Sequence, residues 1–316
     1  MRKALVLAGF LIANVMVCAV NAWAQEMIDH HHVITTGSAD AVNDSITQDW
    51  AKQRLAKSPR HQEWVNVKNG NRNVNSFVVY PEVKNKATAV VVIHEIFGMT
   101  DWVQQLTDEL AEAGYIAIAP DLLSGMGPNR GGTSAISATG SNAVGLAIRA
   151  LSADQINADL NAVADYVSKL PSSNGKVVVA GYCWGGSQSF RFATNRPSLK
   201  AAFVFYGTAP TVTPQDPALD KTALGRITAP VYGFYGENDA RVDSTISPTV
   251  DAMKELSKKY DPVTYAGAGH GFMRAGEPNG PPPAADADQK TKDAYAANRK
   301  ARDDAWERWK KILAKI

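Results

Sequence analysis

The chain of 316 residues contains only 2 cysteines, Cys18 and Cys183. So few thiols cannot form the disulfide framework that staples small secreted domains, and the fold must rest on an apolar core. An excess of charge of one sign is also missing. Lys+Arg 33 against Asp+Glu 31 excludes the basic field that would draw the protein to nucleic acid or an anionic membrane. Beyond residues 1–24 no apolar run approaches the length a bilayer requires. Nor does Gly-x-Ser-x-Gly, the usual serine nucleophile pattern, occur anywhere. Hydrophobic residues at 45% and charged residues at 20% describe an ordinary globular chain, neither disordered nor collagen-like.

Residues 1–24 read as a secretory signal. Arg2 and Lys3 precede an apolar run from Ala4 to Val20, and Ala22-Trp23-Ala24 suits cleavage before Gln25. Val15 to Val17 lack the small residues that precede a lipidated cysteine, so Cys18 is not read as a lipid anchor. Cleavage removes Arg2, Lys3 and Cys18, leaving a formally neutral mature chain with no stable membrane anchor and one thiol, Cys183. The expected location is periplasmic or secreted. A lone thiol in an oxidising compartment is a liability unless it is buried or useful.

Residues 25–60 form a polar arm, ending in a short helix over 47–57. Residues 61–316 read as one domain, including a C-terminal helix. Strands at 64–67 and 75–80 suggest a hairpin whose turn occupies the Asn/Gly-rich segment 68–73. The apolar run Ala87-Thr88-Ala89-Val90-Val91-Val92-Ile93 predicts a strand buried on both faces of a parallel sheet. Strand and helix patterns then alternate: helix 101–113, strand 114–119, helix 153–170, strand 176–180, helix 185–193. Strands 201–205 and 230–235, helix 247–260, strand 261–266 and a long terminal helix over 286–316 follow. The pattern predicts an α/β fold, with a mostly parallel central sheet and helices on both faces. Segment 124–142, rich in Gly, Ser and Thr, leaves a strand end and reads either as a lid or as a tolerated surface insertion. Segment 276–284, with Pro281-Pro282-Pro283, reads as a stiff connector.

The chemistry concentrates at Gly181-Tyr182-Cys183-Trp184-Gly185-Gly186, between a predicted strand and a predicted helix. This is the nucleophile-elbow pattern of α/β-hydrolases with cysteine in place of serine. The tight turn lifts the sulfur beside a helix N-terminus, whose dipole favours a thiolate, and aims the Trp184 amide where an oxyanion forms. Of 6 histidines, His270 lies in the flexible Gly267-Ala268-Gly269-His270-Gly271 turn after the last strand. In the chain order nucleophile, acid, histidine, Asp239 at a strand end is the candidate acid, with Glu237 and Asp243 as rivals. His94-Glu95-Ile96-Phe97-Gly98 follows the most apolar strand, and its Ile96 amide is placed to be the second oxyanion donor. Glu95 lies close enough to repel a thiolate, or else is a capping or salt-bridged carboxylate. His94 reads as packed and hydrogen-bonded. His30-His31-His32 in the polar arm read as a solvated tract.

Taken in order, Glu95-Ile96-Phe97-Gly98, Ala119-Pro120-Asp121-Leu122, Ser173-Asn174-Gly175-Lys176-Val177, the elbow, Gly236-Glu237-Asn238-Asp239 and Ala268-Gly269-His270-Gly271-Phe272 resemble the dienelactone hydrolase (carboxymethylenebutenolidase) family. The resemblance spans residues 62–275 and implies a cysteine hydrolase of the α/β-hydrolase fold. It implies Cys183 as nucleophile, Asp239 and His270 as its triad partners, and the Ile96 and Trp184 amides as oxyanion hole. It further implies that Glu95 hydrogen-bonds the resting thiol and takes its proton when substrate displaces it. Arg274, with Phe97, Tyr182 and Phe272 from the same motifs, is expected to bind substrate. Family members that open dienelactone use a second arginine just after Pro120-Asp121-Leu122, where this chain has Leu123-Ser124-Gly125.

The expected protein is an exported hydrolase that cleaves ester or lactone bonds through a thioester, as a monomer or homodimer, without metal or organic cofactor. Thioesterase or amidase action by the same triad is one alternative. A catalytically silent binding protein on the same fold is another. A thiol redox protein is disfavoured, because the mature chain has no second cysteine to resolve an oxidised sulfur.

Overall fold

A computed structural model describes residues 48–213, 216–275 and 280–316. The predicted signal sequence, His30-His31-His32, most of the polar arm and part of the proline-rich connector lie outside the described residues. The strands are β1 (Gln62–Asn69), β2 (Arg72–Val79), β3 (Ala87–Ile93), β4 (Ile116–Pro120), β5 (Ser173–Tyr182), β6 (Ala202–Phe205), β7 (Val231–Gly236) and β8 (Tyr260–Tyr265). The helices are α1 (Asp49–Ala56), α2 (Asp101–Glu112), α3 (Thr133–Ser137), α4 (Ala143–Arg149), α5 (Ala153–Ser168), α6 (Trp184–Asn195), α7 (Lys221–Gly225), α8 (Ala240–Asp243), α9 (Ile246–Glu255) and α10 (Gln289–Leu313). Among the described residues no helix is long and apolar enough to cross a membrane.

All eight strands join one sheet in the order β1-β2-β4-β3-β5-β6-β7-β8. β2 pairs antiparallel with β1 and β4, and every other pairing is parallel, so β2 alone runs against the rest. Every residue of β3 is buried, as its unbroken apolar run requires. Its alternate side chains serve two cores. Ala89, Val91 and Ile93 pack with Ile156, Leu160 and Val163 of α5 and Phe190 of α6. Val90 and Val92 face the other way, into Trp102, Val103 and Leu106 of α2 and Ala305 and Trp309 of α10. The sheet is therefore covered on both faces, as the sequence pattern predicts. Parallel strands β3 to β8 share one direction, so their carboxyl ends, and the loops that follow them, gather along one edge.

Two local expectations are corrected. The hairpin turn is tighter than 68–73: β1 runs through Asn69 and β2 starts at Arg72, leaving Gly70-Asn71. Gly70 takes φ 55, a left-handed conformation open to glycine, and so Lys68 and Asn73 can pair across the ladder. The helix expected over 247–260 stops at Glu255, and Tyr260 already opens β8 opposite Val231. Ser257 at φ 54 turns the chain back toward the sheet within that short link.

Segment 124–142, expected as a lid or a tolerated surface insertion, is ordered and packed. It holds a short helical turn at Pro128–Arg130 and α3, and leads into α4. Leu123, Ile136, Val144 and Ile148 form a small core of their own, against which Ile96 and Trp184 pack. The buried Asp121 carboxylate accepts hydrogen bonds from the Thr133 amide (2.8 Å), the Thr133 hydroxyl (2.8 Å) and the Leu123 amide (3.1 Å). The Thr133 oxygen in turn accepts from the Met99 amide at 3.0 Å, tying this cap to the loop after β3. Losing a buried, charged acceptor of this kind costs about 3 kcal/mol. Asp121→Ala is therefore expected to lower the unfolding free energy by about that amount in urea titration. The same variant should open residues 124–142 to limited proteolysis.

Candidate active site

β5 carries the elbow to the centre of the sheet. It ends at Tyr182, α6 begins at Trp184, and Cys183 alone makes the turn at φ 55, ψ −118. A non-glycine residue is strained there and persists only where its surroundings over-determine it. Two glycines allow the crossing. A Cβ on Gly181 would overlap the Gly185 carbonyl, and one on Gly185 would overlap the carbonyls of Ile93 and His94. The Cys183 amide donates to the Phe205 carbonyl at 3.0 Å, which fixes the turn to β6. Cys183 is partly exposed and occupies the N-cap of α6. The Trp184 amide is the first of that helix, a position with no intrahelical acceptor.

His270 and Asp239 arrive on loops stitched together by short hydrogen bonds. The Glu237 amide donates to Tyr265 (3.1 Å) and the Asn238 amide to Ala268 (2.8 Å), while the Gly267 amide donates to the Glu237 carboxylate (2.8 Å). Asn298 of α10 holds the Gly269 amide at 2.7 Å. This division of labour separates the three candidate acids. Glu237 serves the loop backbone and Asp243 is exposed, whereas buried Asp239 bonds His270 Nδ1 at 2.5 Å. On its other side His270 is hydrogen-bonded to Cys183. Burial disfavours the charged imidazole, but the Cys183 sulfur and the Asp239 carboxylate outweigh it and push the His270 pKa up to about 10. The arrangement stores a proton on the imidazole between an acid and the sulfur.

The loop after β3 is equally fixed. His94 is fully buried, and its Nδ1–H donates to the Glu95 carbonyl at 2.8 Å, leaving Nε2 to accept from the Leu122 amide at 3.3 Å. Both ring nitrogens are thus engaged as a neutral imidazole, and burial lowers its pKa accordingly. It stacks on Trp184 (5.6 Å, 16°) and is a packed residue. Glu95 is buried, with Oε2 3.6 Å from Arg274 Nε, and the Arg274 guanidinium lies over the Phe97 ring at 5.6 Å. The salt-bridged reading of Glu95 therefore holds, with Arg274 as its partner.

Tyr182 and Phe272, expected at the substrate, are placed elsewhere. Tyr182 is fully buried, stacked on Phe205 (4.6 Å) and edge-on to Trp102 (5.3 Å). Phe272 is fully buried between Tyr206 and Tyr265. Both are large apolar side chains next to a tight turn, where packing beneath the turn competes with facing the cleft. One residue of the site escaped the sequence reading. Tyr206, just beyond β6, takes φ 41 and sets its ring edge-on to His270 at 5.0 Å. Burial drives its phenol pKa well up; Glu95 raises it further and Arg274 opposes, so the hydroxyl belongs to the same charged cluster. Its only available signal was its place after a strand carboxyl end.

The profile of the dienelactone hydrolase family matches residues 74–316. The chain belongs to the dienelactone hydrolase family. As a family member it is a hydrolase acting on ester or lactone bonds. It is 32% identical over 189 residues to a protein of Salmonella typhimurium provisionally named carboxymethylenebutenolidase, covering 58% of this chain and 67% of that one. A Saccharolobus solfataricus protein with the same provisional name is 27% identical over 274 residues, covering 77% and 94% of the two chains. Among solved structures, a provisionally named dienelactone hydrolase from Klebsiella pneumoniae superposes with TM-score 0.65 at 23% identity, over 81% of this chain and 99% of that one. The dienelactone hydrolase from Anabaena variabilis gives TM-score 0.51 at 21% identity, over 67% and 88%. These two likenesses show the shared fold.

The charge on His270 is open to direct measurement. A raised imidazole pKa means that the charged form's contribution is complete below the ordinary value of 6.5 and lost as pH rises through about 10. NMR titration of the His270 ring should accordingly show protonation persisting well above neutral pH. In Cys183→Ala, which removes the largest favourable influence on the proton, the midpoint should fall.

Proposed function

We propose that this dienelactone hydrolase family member works as a cysteine hydrolase, with Cys183 as nucleophile and a thioester acyl-enzyme. The observation that carries this reading is His270 bonded on one side to Asp239 and on the other to Cys183, at an elbow held at φ 55. The Cys183 thiolate attacks the carbonyl carbon, and the carbonyl oxygen takes the electron pair. The Ile96 and Trp184 amides stabilise that oxyanion, each contributing about 3 kcal/mol in the transition state. The intermediate collapses as the C–O bond breaks, and His270 delivers its proton to the leaving alkoxide. Water, deprotonated by His270, then cleaves the thioester and returns the thiol. Asp239 holds the imidazole in the productive tautomer and offsets its charge throughout. The resting thiol's proton is assigned to Glu95, with Arg274 beside it to hold the carboxylate in place. No step calls for a metal or an organic cofactor.

The substrate is a small ester or lactone. Arg274 is the cation available at the catalytic carboxylate, and Leu123-Ser124-Gly125 supplies no second one: Leu123 is core and the Ser124 hydroxyl is spent on the Asp121 carbonyl and the Asn75 amide. This supports acyl transfer more firmly than it supports dienelactone itself. The matched test is dienelactone beside an uncharged short-chain aryl ester. Cys183→Ala should lose at least a hundredfold in kcat on both, while Arg274→Ala should weaken dienelactone turnover more than that of the neutral ester. Undiminished activity in Cys183→Ala would sink the assignment.

We also propose that the protein acts outside the cytoplasm, on the strength of residues 1–24. Mass spectrometry of the exported protein is expected to find Gln25 at its N-terminus. Recovery of the intact Met1 form from the cytoplasm alone would overturn export.

A further inference from the structure

Tyr182 points away from the candidate site, into the core between α2 and α10. Its ring is edge-on to Trp102 of α2 (5.3 Å) and to Trp309 of α10 (6.5 Å). On the same two helices stands an ion pair that acyl transfer does not use. Glu109 and Arg302 are 5% and 4% exposed and hydrogen-bonded to each other. Gln105 donates to the Glu109 carboxylate at 3.4 Å, and the Arg302 guanidinium lies over Trp306 at 5.2 Å. Trp102, Gln105 and Glu109 recur at helical spacing on α2, as do Arg302, Trp306 and Trp309 on α10, so each set shares one helix face. A buried pair of this kind is often matched or exceeded in stability by apolar residues of similar volume, so stability alone does not explain it.

The polar atoms around the pair point to a further role. Tyr182 Oη, Trp102 Nε1, Gln105 Oε1, Trp309 Nε1 and Arg302 Nε are all buried without a protein hydrogen-bond partner. Left so, each costs about 1–3 kcal/mol. Three N–H donors, a hydroxyl and an amide oxygen form a complement of the kind that ordered water can satisfy, by accepting from the N–H groups and donating to Gln105. Glu109 and Arg302 also dominate the charges felt by the Tyr182 hydroxyl, in opposite senses.

We propose that the Glu109–Arg302 pair, linked by ordered water to Gln105 and the Tyr182 hydroxyl, is a positioning device for the nucleophile. The proposal rests on Cys183 being that nucleophile. Cys183 follows Tyr182 directly, and its left-handed backbone stays in place only if the chain is held on both sides. After the turn, α6 and the Phe205 carbonyl hold it. Before the turn, Tyr182 holds it, its ring locked among aromatic neighbours and its hydroxyl joined to the ion pair only through the proposed water. Glu109 and Arg302 are positioning residues: they act through Tyr182 and touch no substrate.

Tyr182→Phe removes one oxygen and keeps the ring stack. It is expected to lower kcat for an aryl ester about tenfold with KM nearly unchanged, the signature of a displaced sulfur. Alkylation of Cys183 by iodoacetamide should slow in step. Arg302→Met should lower kcat likewise, and Arg302→Lys should recover part of the loss because it keeps the charge. The paired Glu109→Leu/Arg302→Met variant fills the site with apolar volume; if it folds, by circular dichroism and thermal midpoint, it should still show the kcat loss. If it does not fold, Tyr182→Phe decides. Wild-type kcat and alkylation rate in Tyr182→Phe overturn the positioning role while leaving Cys183 as nucleophile. Ester turnover that survives Cys183→Ala overturns both.

Discussion

The backbone contact between the elbow and its neighbours is the constraint on which the rest of the molecule depends. β5 and α6 meet at Cys183 with Gly181 against the Gly185 carbonyl, and Gly185 against Ile93 and His94. Because no Cβ fits at either glycine, α6 can lie close over β3 and β5, and the sulfur projects from the sheet edge where the other loops converge. The strain at φ 55 is sustained from several directions: the Phe205 carbonyl, the start of α6, and the aromatic packing under Tyr182. Loosening any of these lets the sulfur relax away from the imidazole.

The loops that complete the site are rigid for a related reason. Each is tied to another loop rather than left to hold its own shape. Asp121 after β4 holds Thr133, Thr133 holds the Met99 amide, and so the cap fixes the loop that carries Ile96. Glu237 and Asn238 bind the loop that carries His270 while Asp239 takes the imidazole. The C-terminal helix enters twice, through Asn298 on the Gly269 amide and through Arg302 on Glu109. A cluster of buried charge, Glu95 with Arg274, can then exist at the loop after β3 because its surroundings are preorganised.

Much of this was legible in the sequence where a local rule governs a local outcome. The unbroken apolar run of β3 announced a strand buried on both faces, and the glycines around Cys183 announced a tight turn. Chain order placed an acid and a histidine after it. Reading failed where side-chain direction depends on distant packing. Tyr182 and Phe272 sit in motifs of the site yet turn into the core, because beneath a tight turn the alternate faces of the chain compete for the same neighbours. The anchoring of 124–142 left no local trace because it comes from Asp121, a residue outside the segment.

The amino-acid order by itself determined the layered α/β architecture and the elbow with Cys183 at its turn, since periodicity and glycine spacing act over a few residues. Tertiary structure alone decided which of Glu237, Asp239 and Asp243 meets His270, since that choice depends on loops 31 residues apart in the Asp239–His270 bond. It alone brought Tyr206 to the imidazole, and paired Arg302 with Glu109 across 193 residues. Contacts at such separations leave no periodic trace in the chain. They form only when the sheet brings its carboxyl ends, and the helices on each face, into register.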